Sequence, residues 1–354
     1  MPAITSPSDS TVLITGANGF LATWTVGKLL DHGYNVRAAV RSEAKGEHLL
    51  KLYTAFGDRL SLYIVGDMDK PGVWDNAVKD TQGVIHTAAR VNLNATNPKD
   101  IIDPAVGGTL GILQSIVKYG SSTKRFVYAS SCAAITDPHF DTEITSSEVD
   151  WNNTSISEVE TRGADASGLA KYQASKTLAE KALWEFLETN DTMFDATAIN
   201  PPWIFGPPKQ PVANPESLND SNAFLYKAVV NADFAGMEPS SMPAHGWVGV
   251  SDVAEALVRS LSVPEAGGER IIVSAGSPWY WNEWIYAAHA LCPPAEFVMS
   301  HPGLPKLSEK TKSDRKRLGI RFDNAKQERI LGIKFMTMQE LARDILDDYT
   351  SRGW

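Results

Sequence analysis

Through its first two hundred residues the chain alternates short apolar runs with longer stretches whose apolar positions recur at helical spacing. Residues 11–15, 36–40, 60–65, 83–87, 125–130 and 194–199 are short, β-branched or apolar, and bounded by turn residues. Between them the spacing predicts helices over 19–32, 43–56, 71–79, 105–118 and 172–188. Strands apolar on both faces and separated by helices predict a parallel sheet covered on both sides. The expected architecture is α/β, a doubly wound sheet of Rossmann type.

Past Asn200 the texture changes, with fourteen of the 20 prolines and six of the 10 tryptophans. Proline interrupts regular elements and tryptophan supplies apolar area, which suits a loop-rich lobe around a pocket. A helix over 251–261 and a strand over 270–273 are expected to return to the sheet. The expected division is a dinucleotide-binding domain of residues 1–200 plus about 251–275, and a smaller, discontinuous substrate lobe of 201–250 plus 276–354.

Charge and cysteine count narrow the function classes. Lys and Arg number 33 against 42 Asp and Glu, a net charge of −9 that gives no attraction to nucleic acid or anionic membranes. No run approaches the ~18 apolar residues of a membrane span. Residues 1–10 carry neither a basic flank nor an apolar run, so no signal peptide is expected. Cys132 and Cys292 are the only cysteines, too few for a disulfide framework or a four-Cys zinc site. A cytoplasmic protein without a resident metal is expected.

Residues 11–22, TVLITGANGFLA, carry a strand into a helix through a G-x-x-G-x-x-A turn. Gly16 permits the tight turn, Gly19 admits a pyrophosphate close to the backbone, and Ala22 lets helix and strand pack. The helix start then offers free N–H groups and a positive dipole end. An NAD enzyme needs an acid at the end of the second strand. This chain has Arg41 there, with Arg37 before it and Lys45 after, which suits the 2′-phosphate of NADP; Glu43 is the alternative, holding a ribose hydroxyl. Asp67, after the third strand, is placed to accept from the adenine amino group.

Tyr172 and Lys176 stand four apart on a predicted helix, so they share one face. A free phenol has a pKa near 10; an ammonium beside it favours phenolate and tunes it for proton transfer. The same ammonium can hold the nicotinamide ribose. At the end of the fifth strand, Ser131 is the candidate to donate to a substrate carbonyl, with Ser130 as the alternate.

With these motifs in place, the chain resembles the extended short-chain dehydrogenases/reductases. Within that family it is similar to the branch of fungal NADPH-dependent ketone, aldehyde and methylglyoxal reductases and plant dihydroflavonol reductases. The likeness rests on residues 15–22, 36–41, 84–89, 125–131, 172–180 and 200–207, with weaker signatures at 247–256 and 322–332. It implies reduction of a ketone or aldehyde by hydride from NADPH. Ser131 would orient the carbonyl, Tyr172 give the proton, and Lys176 lower the Tyr172 pKa and bind ribose. Asn18, Phe20, Leu21, Met68, Ala88 and Pro201 would complete the cofactor site. Residues 105–109 lack the asparagine that the family often carries on the preceding helix.

For the substrate side, Val91, Asn92, Cys132, Trp203 and Phe205 are expected to line the pocket, and a small carbonyl compound is the expected partner. His86 is expected to pack rather than ligate. Cys132 has no activating base near it in sequence, which leaves a small buried thiol as its other reading. No H-E-x-x-H or G-x-S-x-G motif occurs. The alternatives are a nucleotide-sugar epimerase or dehydratase on the same fold, and a non-catalytic NADPH sensor. Helix 105–118, apolar on two faces, predicts a homodimer pairing it and the Tyr172 helix with their symmetry mates.

Overall fold

Residues 3–66, 68, 70–88, 95–137, 143–231, 243–300 and 319–354 are described by this computed structural model. Seven strands build its main sheet: β1 Thr11–Thr15, β2 Asn35–Val40, β3 Leu60–Ile64, β4 Gly83–His86, β5 Arg125–Ala129, β6 Asp195–Asn200 and β7 Glu269–Ile272. All neighbours pair in parallel, in the spatial order β7-β6-β5-β4-β1-β2-β3. The order reverses between β1 and β4, so a crevice opens at their carboxyl ends.

Alternation along each strand feeds two cores. Val12 and Ile14 face one, with Val26 and Leu29 of helix α1 (Phe20–Asp31), Leu49 of α2 (Glu43–Leu52), and Val253 and Leu257 of the later helix Val250–Ser262. Leu13 faces the other, with Ile112 and Ile116 of α3 (Lys99–Tyr119) and Ala179 and Leu183 of the helix Gly168–Thr189. The remaining helices used below are α4 (Asn153–Arg162), α5 (Gly168–Thr189), α6 (Asp220–Leu225), α7 (Val250–Ser262) and α8 (Trp281–His289). Both faces of the sheet are therefore covered, and the doubly wound expectation is met.

Some expected limits are corrected. Residues 71–80 are turns rather than a helix, with Gly72 at φ +74° and Asp80 at φ +59°, although Trp74, Ala77 and Val78 are buried as the spacing required. Helix α3 starts at Lys99 and runs through Pro104. The stretch 43–56 divides into α2 and a 3-10 turn, Thr54–Arg59. Helix α5 opens at Gly168, where the Ser167 hydroxyl accepts from Ala170 N.

Beyond β6 a further core forms around Phe205, Trp247, Trp279, Trp281 and Trp284, closed by α8 and the last helix, Met338–Arg352. Its rings meet edge to face, Trp279 and Trp281 at 4.7 Å and Phe205 and Trp284 at 5.1 Å. Most tryptophans of this part are thus core.

Candidate active site

At the switch point β1 ends in Thr15, whose Oγ1 accepts from Thr87 N at 3.2 Å and Ala88 N at 3.1 Å. These bonds hold the end of β4 against the glycine loop. Gly16 has φ +63°, and a Cβ there would lie 3.1 Å from Ala88 Cα, so the turn tolerates no side chain. Gly19 N–H donates to Gly16 O at 2.9 Å and caps α1 without a side-chain bond. The N–H groups of Phe20, Leu21 and Ala22 have no acceptor among the described residues. Asn18, Phe20 and Leu21 are half-buried beside this opening. A bare helix start behind a loop sealed to side chains is an anion cradle.

The cations at the end of β2 separate into two groups. Arg37 does not face the crevice: Nη1 donates to Ala77 O at 2.7 Å and Lys79 O at 2.6 Å, anchoring the turns that follow β3. In the protein alone this nitrogen is held by backbone carbonyls, away from the role expected of Arg37. Arg41 and Lys45 are exposed at the start of α2 and pair with no other described side chain. Asp67 lies outside the described residues. A cavity brings Met68, Ala88, His86 and Lys176 together, between β4, β5 and the start of α3.

Ser131 follows β5 and caps the 3-10 turn Cys132–Ala134, its Oγ accepting from Ala133 N at 3.1 Å. The same hydroxyl donates to Pro201 O at 3.4 Å and stands close enough to the phenol of Tyr172 to lower its pKa. Lys176 stands one turn further along α5. Ser130, the alternate, turns the other way and donates to Glu180 Oε2 in the interior. Strand alternation thus sends Ser131, not Ser130, to Tyr172.

Burial raises the Tyr172 pKa above the usual value, Ser131 pulls it down in part, and Asp220 at the start of α6 pushes it up. Burial lowers Lys176 to about 8, against the pull of Glu180. In the protein alone, desolvation of the phenolate therefore outweighs the Ser131 contribution and holds the Tyr172 phenol above its usual range. His86 falls to about 3, chiefly by burial and then by the Lys176 charge. It is a neutral ring, bonded to Thr15 Oγ1 at 2.9 Å and stacked on Phe126 and Tyr128. Among the described residues no group of three or more His, Cys, Asp or Glu could hold a metal ion.

On the substrate side, Val91 and Asn92 lie outside the described residues. Cys132 is buried, with its Sγ donating to Asn200 O at 3.1 Å and its thiol pKa pushed well up by burial. Phe205 is wholly buried in the aromatic core. Both are buried in the protein alone rather than open to solvent. Trp203 remains half-buried, edge to face with Phe224 at 5.4 Å, and Phe224 is 48% exposed. Pro201 O accepts from Cys132 N at 2.9 Å.

Sequence reasoning missed Thr15, Asp220, Glu180 and Lys171. The Lys171 ammonium is buried beside Tyr172 and donates to Ala95 O at 3.1 Å and Ala164 O at 2.7 Å. Only Glu180 had a signal, since it continues the face of α5 at positions 172 and 176.

The chain is similar to known proteins along most of its length. A profile of the NAD dependent epimerase/dehydratase family matches residues 12–276. Ketoreductase azaE of Aspergillus niger is 35% identical over 340 residues, 94% of this chain and 95% of that protein. The NADPH-dependent methylglyoxal reductase GRE2 of Saccharomyces cerevisiae is 32% identical, over 94% of this chain and 96% of that protein. The crystal structure of Gre2 from Candida albicans in complex with NADPH superposes with a TM-score of 0.82 at 26% identity, covering 98% of this chain and all of that one. On the extent of the profile match and of these likenesses, the chain belongs to the NAD dependent epimerase/dehydratase family.

Proposed function

We propose that this chain is an NADPH-dependent carbonyl reductase, converting a ketone or aldehyde stereoselectively to the alcohol. The observation that carries the reading is the placement of the Ser131 hydroxyl beside the Tyr172 phenol, with Lys176 one helical turn away lining the cavity that reaches Ala88 at the glycine loop. The cradle at Gly16 and the free N–H groups of α1 fit a dinucleotide pyrophosphate. The exposed Arg41 and Lys45 fit an extra phosphate on the adenosine side. NADPH supplies the hydride from C4 of its nicotinamide when bound.

The chain's own groups do the rest. Ser131 donates to the substrate carbonyl oxygen and orients it. Tyr172, protonated at rest, gives its proton to that oxygen as negative charge develops there. Lys176 holds the ribose hydroxyls and offsets the charge left on the phenolate. Trp203 and Phe224 form an apolar wall for the group the carbonyl carries. The glycine-loop side, residues 1–200 with about 251–275, takes the cofactor; residues 201–250 with 276–354 take the substrate.

The relatives' names support a small carbonyl substrate, and no described helix is long and apolar enough to cross a membrane. A cytoplasmic location and a homodimer through α3 and α5 belong to the same reading. The test is oxidation of NADPH with a panel of ketones and aldehydes. Turnover with one enantiomer of alcohol in excess supports it. Co-purified NAD with no carbonyl turnover points instead to an epimerase.

A further inference from the structure

Behind the site lies a buried polar hub. Glu180 has no exposed surface and continues the α5 face of Tyr172 and Lys176 one turn further. Its Oε2 accepts from the Ser130 hydroxyl and from Asn200 Nδ2 at 2.8 Å. Its Oε1 accepts from Arg270 Nε at 2.6 Å and Trp184 Nε1 at 3.3 Å. One carboxylate of the catalytic helix thus reaches β5, β6 and β7. Asn200 Nδ2 also donates to Ser131 O at 3.1 Å, so the backbone that carries Ser131 is fixed through the same group.

A pair buried this deeply adds little net stability, because desolvating both charges offsets their attraction. What it does supply is a single geometry. Arg270 is itself fixed, with Nη1 donating to Glu148 O and Asp150 O at 2.7 Å each and its guanidinium 3.6 Å over the Trp151 ring. We propose that Glu180 is a positioning residue of this site: it locks the strand end bearing Ser131 to the catalytic helix and places a negative charge one helical turn beyond Lys176. The inference rests on the reductase reading and adds a residue to it.

Among the described residues, the charged and titratable groups around the pair are few. Lys176 meets Tyr172 and Glu180 from its own helix, His86 from β4 and Tyr128 from β5. Glu180 meets Arg270 from β7, and both its charge and that of Glu148 bear on Cys132 after β5. Glu180 is the acid that opposes the effect of burial on Lys176.

The experiment follows the pH dependence of Lys176 acylation by acetic anhydride in the cofactor-free protein, by peptide mass spectrometry, beside pH profiles of kcat/KM. Glu180→Gln should lower the Lys176 midpoint by about one unit, and the alkaline limb of kcat/KM with it. Glu180→Asp should restore the midpoint. Ser130→Ala, a milder change, should leave the midpoint in place and lower kcat about tenfold. A parental midpoint in Glu180→Gln, or a parental kcat in Ser130→Ala, overturns the proposal. The labelling needs neither cofactor nor carbonyl, so a parent protein that fails to oxidise NADPH refutes the reductase reading without deciding the midpoint.

Discussion

The Ser131 hydroxyl, at the end of β5, stands beside the phenol of Tyr172 in the second turn of α5 and lowers its pKa. Two groups from distant parts of the chain meet because the strand end is fixed from behind by Asn200 and Glu180. A carbonyl oxygen between them would meet two O–H donors. Ser131→Ala removes one donor and leaves the glycine loop untouched. Turnover should fall about 10²-fold while NADPH affinity by fluorescence titration stays near parental.

Cofactor choice should depend on Arg41 and not on Arg37. A charge-assisted bond to phosphate is worth about 1.5–3 kcal/mol, so Arg41→Ala should raise the NADPH KM about 10–100-fold and hardly change that for NADH. Arg37→Ala leaves Ala77 O and Lys79 O without their donor. It should lower the melting temperature and keep the NADPH preference. Equal parental efficiency with both cofactors would contradict this assignment.

Asp252, in the first turn of α7, predicts a pH-dependent cost. Burial raises its pKa from the usual 3.8 to about 6, although it accepts from Met336 N; Lys28 opposes the rise, and Glu340 and Glu255 add to it. The folded state therefore prefers the protonated acid. That preference is fully present below pH 3.8, is lost as pH rises to 6, and leaves an ionised buried group above it. The cost is about 2–3 kcal/mol at neutral pH. Asp252→Asn keeps an acceptor for Met336 N and should melt higher than the parent at pH 7.5, with the gain gone at pH 3.5. A lower melting temperature at pH 7.5 would refute it.

Assembly is tested by mass. Ile112, Leu113 and Ile116 of α3 are buried within the chain, whereas Val117 is 48% exposed. The homodimer reading predicts twice the chain mass by sedimentation at micromolar concentration; a single-chain mass contradicts it.

The sheet was legible because its inner strands are buried on both faces, so each apolar run ends where burial ends; the edge strand β3, with Ser61 and Ile64 exposed, still reads as a short apolar run. Residues 11–15 match β1, and the other strand limits shift by about a residue. Helix limits were harder. The helix expected over 105–118 starts six residues earlier, at Lys99, and runs through Pro104. The buried Trp74, Ala77 and Val78 mimic helical spacing inside a run of turns. In the site, a helical spacing brought Tyr172 and Lys176 together, a local relation. The destinations of Arg37, Phe205 and Glu180 are set by partners far along the chain, Lys79, Trp284 and Arg270 among them, and nothing local announces those.

The most direct test is Tyr172→Phe, which keeps the ring and deletes the one proton it can give. The account predicts parental NADPH affinity and turnover of a reducible ketone lower by about 10²–10⁴-fold, some 3–5.5 kcal/mol of barrier. Near-parental turnover in that variant would mean that another group donates the proton, and would contradict the account.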